Sequence, residues 1–235
     1  LIIKVRNKIV ADGLDDSSFD VTDCGQHVSA AEFNALAQAP DTVVVDMRNH
    51  YESEVGHFKG AILPAAETFR EEIREVEDLL KDQRDRNIVL YCTGGIRCEK
   101  ASAYLKHKGF PNVHQLEGGI IEYVRQVKEQ GLDNRFRGVN FVFDERLAER
   151  VSEDVVSECH HCGAPNDTVT NCANAACNVL MVQCPKCANT MNGTCSTDCA
   201  DFMALPADQQ KAKRSGTRPT RRTLRAPNTA RKADL

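Results

Sequence analysis

Hydrophobic and polar positions alternate between two periods along this chain. Thr42–Asp46, Asn87–Tyr91 and Val113–Leu116 are short apolar runs, the first two rich in β-branched residues, as expected of strands buried on both faces. Between the first two, Phe69–Leu80 brings Ile73, Val76, Leu79 and Leu80 onto one helical face. Ser29-Ala-Ala-Glu32 is a capping-box pattern that opens a helix running to Ala37, and Pro40-Asp41 ends it. A glycine turn after Tyr91 predicts a helix from about Cys98 to His107. Gly118-Gly119 leads into another, carrying Ile120, Ile121, Val124 and Val127. Leu1–Val10 reads as one strand, broken at Asp12-Gly13.

Strands separated by helices predict an α/β domain over residues 28–131, a parallel sheet with helices on both faces. Residues 1–27 read as the remnant of an amino-terminal domain and its linker. Residues 132–158 connect, with a strand-like Phe141-Val-Phe143 and a short helix over Glu145–Ser157. A small cysteine-rich, metal-binding module follows over 159–200, then a basic disordered tail over 201–235. None of the 235 residues lies in an apolar run near the ~20 that a spanning helix needs. The first residues lack the apolar core of an export signal, so the expected location is the cytoplasm, without a membrane partner.

Charge changes the picture at one end only. The net charge of -4 combines 30 basic and 34 acidic residues, yet residues 209–235 hold nine basic residues and one acid. An acidic body therefore carries a basic tail, and an anionic partner becomes a question. The tail has no aromatic ring to stack on bases, so it offers contacts to phosphates alone.

Candidate chemistry concentrates at Tyr91-Cys92-Thr93-Gly94-Gly95-Ile96-Arg97-Cys98, which leaves a buried strand and enters a helix. In a parallel sheet that turn lies at the carboxyl edge, where open α/β folds hold ligands. Two glycines let backbone N–H groups converge, the helix start adds its positive end, and Arg97 adds a charge. A thiol at Cys92 would be favoured as its anion there and would act as a nucleophile. A structural cysteine at a tight turn is the alternative.

Further pieces are Asp46-Met-Arg48, Gly56-His-Phe-Lys-Gly-Ala61 and Leu116-Glu-Gly-Gly119. With the C-x4-R loop, in this order and spacing, they resemble a rhodanese domain over about residues 28–130. The resemblance implies that Cys92 is the catalytic, persulfide-carrying cysteine. It implies that Thr93, Gly94, Gly95, Ile96 and Arg97 cradle the outer sulfur, that Asp46 and Arg48 serve structure, and that His57 is a scaffold residue. Related phosphatases use a loop longer by one residue, so phosphatase activity is not expected. Cys98 departs from the small or hydroxyl residue common there: it is either a resolving thiol for Cys92 or a buried thiol at the helix start.

The fuller runs Asp46-Met-Arg-Asn-His-Tyr-Glu52, Cys92–Lys100 and Leu116–Tyr123, with the opening Lys4–Gly13 and the cysteine module, resemble the rhodanese-containing bacterial tRNA uridine-34 hydroxylases. That resemblance spans nearly the whole chain. It implies oxygen-dependent formation of 5-hydroxyuridine at the wobble position, with tRNA, through its anticodon loop, as partner and molecular oxygen as co-substrate. It also implies that most of that family's amino-terminal domain is missing here. A sulfurtransferase working through Cys92 is one rival; a non-catalytic zinc-dependent RNA- or protein-binding unit, or an inactive truncated form, is another.

Eleven cysteines are present, eight of them between Cys159 and Cys199. An odd total without an export signal argues for metal ligands over disulfides. Eight thiols suffice for two tetrahedral sites, with zinc as the default ion and an iron–sulfur cluster as the alternative. The spacing does not show which four share an ion. Zinc-ribbon logic pairs the knuckles Cys159, Cys162, Cys184 and Cys187, leaving Cys172, Cys177, Cys195 and Cys199 for a second site.

Overall fold

The computed structural model describes residues 8, 10–15 and 17–214. Most of the strand expected over Leu1–Val10, and the tail beyond Arg214, lie outside the described residues. The chain divides into two compact units, Leu1–Phe136 and Arg137–Leu235.

The first unit runs β1 (Gln26–Val28), α1 (Ala30–Leu36), β2 (Thr42–Asp46), α2 (His50–Ser53), β3 (Gly56–Phe58), α3 (Phe69–Leu80), β4 (Asn87–Tyr91), α4 (Ile96–His107), β5 (Val113–Leu116) and α5 (Gly119–Gln130). Four strands form a wholly parallel sheet in the order β1-β5-β4-β2. Alternate strand residues serve opposite faces. Val43, Val45, Ile88 and Leu90 join Ile73 and Val76 of α3 and Ala101 and Leu105 of α4 in one core. On the other face Tyr91 meets Phe58, whose ring centroid lies 4.5–4.7 Å from those of Phe33, Tyr91 and Tyr123. The expected α/β architecture is therefore present.

Local signals explain the boundaries. The Ser29–Glu32 capping box forms in full, and Thr68 caps α3 through the Glu71 N–H. The helix after the glycine turn starts at Ile96, two residues before the expected Cys98, because Gly95 takes the cap position with φ 89°. The short elements β1, α2 and β3 carry no periodic signal: α2 is a single turn, and β1 finds its partner strand only at β5, where Gln26 meets His114.

The second unit opens with β6 (Phe136–Phe141), which starts on the last residue of the first unit and pairs antiparallel with β7 (Ala148–Arg150). Then come β8 (Val169–Asn171), antiparallel to β9 (Leu180–Val182), and the helices α6 (Pro185–Thr190), α7 (Thr197–Ala204) and α8 (Ala207–Arg214). The helix expected over Glu145–Ser157 does not form. Asp144 accepts the Arg146 N–H at 3.0 Å and Leu147 adopts φ 57°, so the chain turns back into a strand. Residues 201–214, expected within the disordered tail, are largely helical. Ser196 caps α7, and α8 places Asp208 in its first turn and Lys211, Lys213 and Arg214 in its last, matching the helix dipole.

Candidate active site and metal centre

Cys92 follows the last residue of β4, buried under the amino-terminal turn of α4. The Gly95 N–H donates to its Sγ at 3.1 Å. The Ile120 and Ile121 N–H groups of α5 bind the Cys92 and Thr93 carbonyls at 3.0 and 3.2 Å. This contact explains Gly119: a Cβ there would sit 2.4 Å from the Cys92 oxygen. The turn is thus clamped between two helix starts, and its N–H groups are free to face the sulfur.

The electrostatics favour the thiolate. The Cys98 thiol, wholly buried in the first turn of α4, donates to Cys92; the Arg97 charge and the backbone N–H groups of Arg97 and Cys98 add to it against the cost of burial. Together they bring Cys92 down to about 6. Cys98 responds oppositely: burial and the neighbouring sulfur hold it well above the ordinary thiol range. The pair therefore divides into one anionic and one protonated sulfur.

Arg97 is not the free cation that the loop pattern suggests. Its Nη1 and Nη2 donate to Glu52 Oε2 and Oε1 at 2.6 and 2.8 Å. Glu52 is fully buried and also accepts the Asn49 N–H at 3.1 Å, capping α2. Thr93 Oγ1 reaches the same carboxylate at 3.3 Å. Asp46 and Arg48 form a second buried pair, 2.6 Å at Nη2, with Arg48 also donating to the Gly56 carbonyl. That pair ties β2 to β3. His57 binds the Ser53 carbonyl through Nδ1 at 2.9 Å, a scaffold contact.

In the second unit the eight clustered thiols separate into two sets, Cys159, Cys162, Cys184, Cys187 and Cys172, Cys177, Cys195, Cys199. Within each set all sulfurs lie within 4.8 Å of one another. The separations Cys162–Cys184, Cys177–Cys195 and Cys195–Cys199 are 3.8, 3.6 and 3.7 Å. A tetrahedral ion with metal–sulfur bonds of ~2.3 Å needs edges of about 3.8 Å, so the donors fit one four-coordinate ion per set. N–H groups of Cys184 and Cys195 point at Cys159 and Cys172 Sγ, both at 3.4 Å, and Asn174 Nδ2 points at Cys199 Sγ at 3.4 Å. Such donors favour thiolates.

A family profile described as Rhodanese-like domain matches residues 29–126, and one described as Rhodanase C-terminal matches residues 137–200. The tRNA uridine(34) hydroxylase of Pectobacterium atrosepticum is 58% identical over 216 residues, covering 92% of this chain and 61% of that protein. Its counterpart in Salmonella arizonae is 55% identical, covering 92% and 62%. The chain carries a rhodanese-like domain followed by a rhodanase C-terminal region, and it is similar to these hydroxylases over both. It spans about three fifths of the length of the curated relatives it matches. Among solved structures, the rhodanese-like domain of an Anabaena protein is 20% identical, with a TM-score of 0.38, covering 57% of this chain and 94% of that one.

In the rhodanese-like domain the structure brings Cys92, Gly95, Arg97 and Cys98 together. Two residues escape the sequence reading as site residues. Glu52 lies 45 positions from its partner Arg97. Glu72 lies on the buried face of α3 with neither carboxyl oxygen hydrogen-bonded. Burial pushes Glu72 well above the usual carboxylate range, against the pull of Arg97. A charged residue at a core position of an otherwise apolar helical face, beside Phe69 and Ile73, is the one sequence signal for it.

Proposed function

We propose that this chain serves the oxygen-dependent hydroxylation of uridine at the tRNA wobble position, giving 5-hydroxyuridine, with Cys92 as the reactive residue. The observation that carries this reading is the 58% identity, over 92% of the chain, to a relative named tRNA uridine(34) hydroxylase. The thiolate at Cys92 supports it by providing a nucleophile within the rhodanese loop. The partner is tRNA through its anticodon loop, the co-substrate is molecular oxygen, and the location is the cytoplasm, where tRNA is modified. Each four-thiolate set of the second unit would hold one structural zinc ion, which supplies stability to a module poor in aliphatic residues. The sulfur spacing of 3.6–3.8 Å supports single ions over an iron–sulfur cube, whose thiolates stand farther apart around a core of irons.

The test is the nucleoside content of tRNA from cells lacking the gene, complemented by the parent or by Cys92→Ser. Loss of 5-hydroxyuridine and its derivatives, restored by the parent and not by the variant, supports the reading. Unchanged tRNA overturns it. A second reading, sulfur transfer from thiosulfate to cyanide or a protein thiol, is favoured by the short C-x4-R loop. Activity in that assay with unaltered tRNA would establish it instead.

A further inference from the structure

The cradle has an outer side. Gly94 and Gly95 also wall an open cleft of about 570 Å³, together with His27, Gln115, Ile96 and Ile121. Resting on the tRNA reading above, we propose that this cleft receives the uracil base of the substrate nucleotide, leaving the phosphates outside.

Gly94 is the first argument. Its backbone is not in the left-handed region, and a Cβ there meets no atom within 4 Å. The fold has no need of glycine at this position, and an unnecessary glycine costs stability through the unfolded chain. Bare backbone in open space beside a reactive cysteine suits the close approach of a ligand. The apolar rim is the second. Ile96 and Ile121, in the first turns of α4 and α5, are 51% and 56% exposed and both line the cleft. Single exposed isoleucines mean little, but two on one cleft give flat apolar contact to a ring.

The polar wall excludes the phosphate. Against the upward push of burial, hydrogen bonds from His27 and Gln115 hold Glu99 below the usual carboxylate range. Arg125 and Gln126 hold Glu122 down to about 2. Arg125 compensates Glu122, so the carboxylates of Glu99 and Glu117 on the cleft lining are the ones that disfavour a phosphate and leave the cleft to a neutral heterocycle. Gln115 is buried and oriented by accepting the Ser102 hydroxyl at 3.2 Å; its Nε2 lies 2.8 Å from His27 Nε2. With its amide engaged by Ser102, His27 and Glu99, Gln115 fixes the position of the half-exposed His27 ring on the cleft wall, where that ring offers a flat face to a base.

The test uses the full chain and an anticodon stem–loop RNA carrying 4-thiouridine at the wobble position, photo-crosslinked and mapped by mass spectrometry. Crosslinks are expected within residues 94–96 and 115–126. Ile121→Ser lies outside the sulfur cradle. It should lower their yield about tenfold, the scale of one lost apolar contact, without moving the pH midpoint of Cys92 alkylation. Crosslinks confined to residues 159–214, or an undiminished yield in the variant, overturn the cleft while the tRNA reading stands. No crosslink anywhere, with unchanged tRNA in the gene-deletion comparison, overturns both.

Discussion

Arg97 and Glu52 meet as a buried two-point pair, 2.6 and 2.8 Å, directly beside the reactive sulfur. The pairing fixes the guanidinium in place and compensates its charge, so the cation draws on Cys92 less than a free arginine would. The anion is held instead by short-range donors, the Cys98 thiol first. Replacing Glu52 by Gln should therefore have two effects. Stability should fall by about 3 kcal/mol, because a buried charge loses its partner. The Cys92 midpoint should move lower, because Arg97 is no longer neutralised. Urea unfolding and site-resolved alkylation measure the two; a midpoint that stays in place would show that Glu52 does not compensate Arg97.

Alkylation of Cys92 against pH should show a midpoint near 6, below the ~8.5 of a free thiol. Cys98→Ala should raise it by about one to two pH units, the worth of a hydrogen bond to a charged group. Cys98→Ser, which keeps a donor, should hold it. The same shift has a stability consequence. A depressed thiol favours the folded state above the unfolded value of ~8.5, and that contribution is lost as pH falls through about 6. A midpoint at 8.5 in the parent would remove the nucleophile from the site.

Glu72 shows the opposite linkage. Its folded value is raised, so ionisation in the unfolded chain costs the folded state stability as pH rises above the usual carboxylate range. Glu72→Gln keeps the shape and removes the titration. The variant should match the parent within about 1 kcal/mol at pH 4, be the more stable at pH 8, and unfold with a flatter pH dependence between the two. Equal slopes would mean that Glu72 is ionised in the fold.

What was legible in the sequence follows range. The strands at Val43–Val45 and Ile88–Leu90, the helix at Phe69–Leu80 and the Ser29 cap depend on neighbours within a turn or two, and period or local chemistry reveals them. The Cys92 loop is legible for the same reason: strand, glycines, arginine and helix start are contiguous. Glu52 and Gln115 depend on partners 45 and 88 positions away, Arg97 and His27, and no local pattern announces such pairs. Glu145-Arg-Leu-Ala-Glu-Arg150 has good helix formers and so reads as helix, yet it turns into β7. The Asp144 side chain captures the backbone before a helix can start.

The metal module supports a last prediction about cooperation between its two sites. Along the chain the thiols alternate in pairs: the first and third pairs make one set, the second and fourth the other. Cys172 and Cys177 therefore lie on the loop that the first set closes between Cys162 and Cys184. Cys184 and Cys187 lie on the loop that the second closes. Each ion thus shortens the chain that the other must order, and loop closure costs less when the loop is already constrained. Elemental analysis should find about two metal ions per chain, and chelation should unfold the β8–β9 region, seen as lost amide protection. Cys187→Ser should release the ion of its own set and weaken binding at the other about tenfold, the scale of a loop-ordering penalty of 1–2 kcal/mol. Chelator competition on the variant reads the second number. An unchanged affinity at the remaining site would show that the interleaved loops fold independently, and eight freely titrating thiols in the native parent would remove the ions altogether.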